Sequence, residues 1–135
     1  MSDDLDTAER PRLLIAHGDP VVRLRLVNAL SSRFDVLGLA TDAHQAIALA
    51  VRAQPDVALI DAHMPGGGGV YATREIARLC PGVAICGLSS DQLDQEVLDI
   101  LLAGADAYAL KEQSVEHLEH ILRQCVRAHP VLAAA

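Results

Sequence analysis

The stretch Pro55-Asp56-Val57-Ala58-Leu59-Ile60-Asp61-Ala62-His63-Met64-Pro65-Gly66, closed by Gly67-Gly68-Gly69, decides the fold. The run from Asp56 to Ile60 is short and continuously apolar rather than alternating, as in a strand covered on both faces. Pro55 halts the helix before it, and Gly66 to Gly69 form a turn with access to positive φ. This leaves one carboxylate, Asp61, at the mouth of a buried strand.

Four further apolar runs repeat the pattern: Arg12 to Ala16, Asp35 to Ala40, Val83 to Leu88 and Ala107 to Leu110. Amphipathic segments alternate with them, at Val21 to Ser31, Ala43 to Ala53, Val70 to Leu79, Leu93 to Ala103 and Val115 to Arg127. In the last, Val115, Leu118, Ile121, Leu122 and Cys125 recur at helical spacing, with Glu116, Glu119, Arg123 and Arg127 opposite. Asp19-Pro20 reads as a helix cap followed by proline at the first helical position, and Ser114 as the cap of the last helix. Five βα units predict an α/β fold with a doubly wound parallel sheet of five strands and five helices.

Composition sets the outer limits. At 135 residues, 51% hydrophobic and 21% charged, the chain is one domain with core enough to need neither disulfides nor a structural metal. The expected folded unit is 12–128, with a flexible N-terminal segment 1–11 and an Ala-rich tail 129–135. Cys80, Cys86 and Cys125 form no CxxC pair, which suits free thiols in a reducing, cytoplasmic setting. With 11 Lys and Arg against 18 Asp and Glu, the formal charge of -7 argues against direct nucleic-acid binding. No run reaches the roughly 18 apolar residues of a membrane span, and Met1 to Arg10 lacks the core of a signal peptide.

In an open parallel sheet, ligands bind beyond the carboxyl ends of the strands. Those ends carry His17-Gly18-Asp19, Asp61, Ser89-Ser90-Asp91 and Lys111-Glu112. A carboxylate, a hydroxyl and an ammonium would thus meet in one open crevice: a nucleophile toward phosphorus, a hydrogen-bond donor and a countercharge.

Two segments carry a resemblance. Pro55 to Asp61 with Met64-Pro65-Gly66 and Gly69, and Gly104-Ala105-Asp106-Ala107-Tyr108-Ala109-Leu110-Lys111, resemble the acceptor loop and fifth strand of bacterial response regulator receiver domains. The likeness runs from Leu13 to about Arg127 and implies the flavodoxin-like form of the sheet. It implies that Asp61 accepts a phosphoryl group from a sensor histidine kinase and that Ser89 and Lys111 engage it. It further implies that Ser89 and Tyr108 form the switch and that His63 offers a metal its backbone carbonyl. A downstream output protein or domain, and in some relatives a homodimer, would read the switched surface; the domain would be a signalling module and not an enzyme.

One departure is large. Where the family carries adjacent acids after the first strand, this chain reads His17-Gly18-Asp19-Pro20. Mg2+ prefers oxygen ligands, glycine supplies none and imidazole is a poor substitute, so a site of Asp61, Asp19 and His63 is expected to be weak or absent. Asp19 would either reach inward or cap the first helix. A protonated His17 would supply charge in place of the metal, and a zinc site from His17, His63 and Asp61 is a remote alternative.

Plainer readings stand beside these. Ser89, Ser90 or Asp91 would cap the fourth helix, Lys111 would be a solvated lysine, and Tyr108 would only pack against the sheet. Two other functions remain open. A phosphorylation-independent pseudo-receiver would act as a protein-interaction module, and a metal-dependent phosphohydrolase would need a second catalytic carboxylate.

Overall fold

The computed structural model describes residues 10–90 and 95–130. Expectations for 1–9, for 131–135 and for Asp91 and Leu93 lie outside the described residues. Strands β1 (Arg12–Ala16), β2 (Asp35–Ala40), β3 (Val57–Asp61), β4 (Ala84–Ser89) and β5 (Ala107–Leu110) alternate with five helices. These are α1 (Pro20–Leu30), α2 (Ala43–Ala53), α3 (Gly68–Leu79), α4 (Gln95–Ala103) and α5 (Val115–Ala128). The sheet runs β2-β1-β3-β4-β5 and every pairing is parallel, the doubly wound, flavodoxin-like order.

Alternation along the strands sends side chains to two cores. Leu14, Ala16, Ala58, Ile60 and Ile85 pack with Ala46, Ala50, Ala72 and Ile76 of α2 and α3. Leu13, Ile15, Val57, Leu59, Cys86 and Leu88 pack with Leu30, Leu118, Leu122 and Cys125 at α1 and α5. Every residue of β3 and β4 is buried, which is why their sequences are continuously apolar. The helix starts follow capping chemistry: Asp19, Asp42 and Ser114 accept from the backbone N–H groups of Val21, Gln45 and His117.

Two strand ends fall one residue later than the apolar runs suggest. The Asp56 carboxylate accepts from the Arg12 N–H at 2.8 Å, while Asp61 pairs with Leu88 and Ser89 with Leu110. Asp61 and Ser89 thus sit on the last rungs of the ladder and inherit its rigidity. Helix α3 begins at Gly68, earlier than its apolar period. Gly66, Gly67 and Gly68 all take positive φ, at 76°, 110° and 87°, a path that needs no side chain. Gly69 is required for another reason: a Cβ there would lie 2.3 Å from the Asp61 carbonyl oxygen, so α3 starts in contact with the end of β3.

His129, just beyond α5, is tied to the far end of the sheet. Nδ1 of His129 lies 3.0 Å from Asp106 Oδ1 and its Nε2 2.6 Å from the Pro81 carbonyl.

Candidate functional site

The carboxyl ends of β1, β3, β4 and β5 bring His17, Asp61, Ser89 and Lys111 to the same edge of the sheet. Asp61 Oδ1 accepts from the His63 N–H at 3.2 Å and faces Lys111 Nζ at 3.3 Å. Its other oxygen, Oδ2, lies 3.5 Å from His17 Nε2. Lys111 Nζ is therefore directed at Asp61, and its backbone N–H donates to the Ser89 carbonyl at 2.9 Å. Ser89 is 2% exposed.

The crevice is tighter than the sequence suggests. The Asp61 side chain keeps 5% exposure, whereas Lys111 keeps 28%. An imidazole lies beside Oδ2 where the resemblance implied an acid, and Lys111 is the more exposed wall of the crevice.

His17 is fixed from several directions. Its N–H donates to the Ala40 carbonyl at 3.0 Å, and its own carbonyl accepts from Arg23 Nη1 at 2.6 Å. The Asp19 N–H donates to His17 Nδ1 at 3.0 Å. A nitrogen that accepts this bond carries no proton, so the ring proton is on Nε2, facing Asp61. Burial holds the His17 pKa below the ordinary histidine value; the Asp61 charge opposes this, and Lys111 and Arg23 reinforce it. Both the tautomer and the direction of the shift favour an N–H donor over the protonated His17 that was one alternative in the sequence.

The residues present do not fit a magnesium site. Gly18 brings no ligand, and a Cβ there would lie 2.7 Å from Pro65 Cδ. Asp19 Oδ1 is committed to the Val21 N–H at 2.9 Å, the capping role and not the inward one. The His63 ring pairs with Glu96 of α4 rather than joining His17. Among the described residues no group of three or more His, Cys, Asp or Glu is arranged to hold a metal ion.

Tyr108, opposite Gly87 in β5, is half-buried and lines a surface groove of about 220 Å³ with Ile121, Gln124 and Cys125. The contact of His63 with Glu96, linking the β3–α3 loop to α4, had no sequence signal. Neither did the Arg23 clamp on His17, since both join common surface residue types across loops.

The fold and the residues at its carboxyl edge define an α/β domain with an aspartate, a lysine and a hydroxyl gathered at the ends of parallel strands. Residues 13–123 match a family model described as the response regulator receiver domain, and the chain belongs to that family. It is 32% identical over 123 residues to the transcriptional regulatory protein LiaR of Bacillus subtilis, covering 90% of this chain and 58% of LiaR. It is 34% identical over 118 residues to PdtaR of Mycobacterium tuberculosis, covering 85% of this chain and 56% of PdtaR. The chain thus spans a little over half the length of these relatives.

The fold also matches the signal receiver domain of the response regulator NarL from Mycobacterium tuberculosis, with TM-score 0.83, 26% identity, and 89% and 98% of the two chains covered. A second match is the receiver domain of the sensor kinase PA1611 from Pseudomonas aeruginosa, with TM-score 0.80, 28% identity, and 87% and 98% covered. That structure holds a magnesium ion in its active-site cleft. No helix among the described residues is long and apolar enough to cross a membrane.

Proposed function

We propose that this domain receives a phosphoryl group on Asp61 from a sensor histidine kinase and presents the change to an output partner in the cytoplasm. The observation that carries this reading is the position of Asp61: last rung of the central strand, 3.3 Å from Lys111 Nζ, in a chain of the receiver family. In the transfer, an Asp61 oxygen forms a bond to phosphorus as the bond from phosphorus to the kinase imidazole breaks, its electron pair staying on nitrogen. Catalysis of this kind is positioning and charge neutralisation, and Lys111 with the Ser89 hydroxyl supports both.

The added charge competes for Lys111 and disturbs the loop through the His63 amide on Oδ1. The ring of the same His63 holds Glu96 on α4, where Leu98 and Leu102 are 54% and 84% exposed. Helix α4, β5 with Tyr108, and α5 thus form the surface for an output protein, an output domain or a second copy, with the domain acting as a switch rather than as an enzyme or a nucleic-acid binder. The missing acidic pair favours one other reading, a pseudo-receiver that binds its partner without phosphorylation.

Incubation with acetyl phosphate followed by intact mass measurement separates the two. A gain of one phosphoryl mass that disappears in Asp61→Asn supports the switch. No gain under any cation condition, with partner binding unchanged in Asp61→Asn, supports the pseudo-receiver.

A further inference from the structure

We propose that Asp61 takes its phosphoryl group without a divalent cation, with His17 Nε2–H and Lys111 Nζ as the donors that hold the phosphoryl oxygens. The inference rests on the acceptor reading above and adds the role of His17 and the independence from metal.

Three observations carry it. His17 is 4% exposed, and its Nε2 has no hydrogen-bond partner. Buried donors are nearly always satisfied, and leaving one unmet costs on the order of 1–3 kcal/mol. At 3.5 Å from Asp61 Oδ2, this N–H is beyond good bonding distance to the free carboxylate, and a phosphoryl group built on Oδ2 would extend into the space beside it. The donor is also preset: the Asp19 N–H fixes the tautomer and Arg23 clamps the backbone, so little reorganisation accompanies transfer.

The third observation is what replaces the cation's ligands. Residues 17 and 18 are an imidazole and a glycine, and Asp19 caps α1. The Lys111 ammonium, and the Arg23 guanidinium bound to the His17 carbonyl, supply the positive charge on this edge of the sheet.

With acetyl phosphate the step balances without a proton. Asp61 Oδ2 attacks phosphorus, the new O–P bond forms, and the bond from phosphorus to the bridging acetyl oxygen breaks. Its electron pair leaves on acetate. The His17 N–H moves from facing the carboxylate to donating to a phosphoryl oxygen.

The test is acetyl phosphate labelling in EDTA and in Mg2+, read by intact mass on the parent chain, Asp61→Asn, His17→Ala and His17→Gln, with circular dichroism to confirm folding. The expected result is a rate in EDTA within about twofold of that in Mg2+, since no cation step is used. His17→Ala slows cation-free labelling by about 100-fold, the scale for losing one preset donor, and His17→Gln, which keeps an N–H, recovers most of that loss. Labelling only in Mg2+, or His17→Ala labelling as fast as the parent, overturns the proposal and leaves Asp61 as acceptor. Labelling in neither condition, or a mass gain that survives Asp61→Asn, removes the acceptor reading and the proposal with it.

Discussion

His17 and His129 each face an aspartate across the same sheet, His17 with Asp61 at the carboxyl ends of the strands and His129 with Asp106 at the amino ends of β4 and β5. What separates them is the second ring nitrogen. In His17 it accepts the Asp19 N–H, which excludes a second proton. In His129 it faces the Pro81 carbonyl at 2.6 Å, an acceptor that demands a proton, and the Asp106 carboxylate demands the other. Burial would push the His129 pKa down, but Pro81 and Asp106 together raise it above the ordinary value. The same pair of residue types leaves the histidine pKa lowered at one end, where burial dominates, and raised at the other, where Pro81 and Asp106 outweigh burial.

Breaking the clasp of His129 on Asp106 at its acid gives the largest effect. Asp106 Oδ2 also accepts from the Ile85 N–H at 2.8 Å, so Asp106→Ala leaves a part-buried donor unmet as well as freeing His129. A loss of about 3 kcal/mol in urea unfolding is expected; a loss under about 1 kcal/mol would show that the clasp is ornamental.

His129→Ala is the next test, and its effect depends on pH. A folded pKa raised above the unfolded value of about 6.5 stabilises fully below that value and loses the contribution as pH rises through the folded pKa. The variant is expected to lose about 1.5 kcal/mol in the acid range and progressively less in alkali. A constant difference across pH would mean that His129 holds its contacts uncharged.

His17→Gln gives the smallest effect and the opposite sign. A folded pKa lowered from about 6.5 leaves the unfolded chain holding the extra proton below that value. The parent therefore loses stability as pH falls through about 6.5 toward the folded pKa, and the variant lacks that slope, a difference of about 0.5 kcal/mol in EDTA. Matching slopes in parent and variant would place a charged ring over Asp61 and undo the contrast.

These pairs also mark where the sequence is readable. The order of βα units and the chemistry at each strand end follow from local signals: apolar runs, Pro55, Pro65, the caps Asp19 and Ser114. They suffice to bring Asp61, Ser89 and Lys111 to one edge. The charge state of His17 is not local, because it turns on an amide two residues on that points at the ring only once α1 is capped. His63 with Glu96, and His129 with Asp106 and Pro81, join ordinary polar residues from distant loops, and no spacing announces them. The one-residue displacement of β3 has the same origin: Asp61 belongs to the strand because Leu88 stands beside it.

The packing of Gly18 against Pro65 has a consequence for how this edge of the molecule can change over time. Placing a carboxylate at position 18 would drive its Cβ to 2.7 Å from a proline ring, so no single exchange there gives the chain the acidic neighbour it lacks. The loop after β3 would have to yield in the same step. An acid at position 18 would therefore be accommodated only together with a shift of the Pro65 ring.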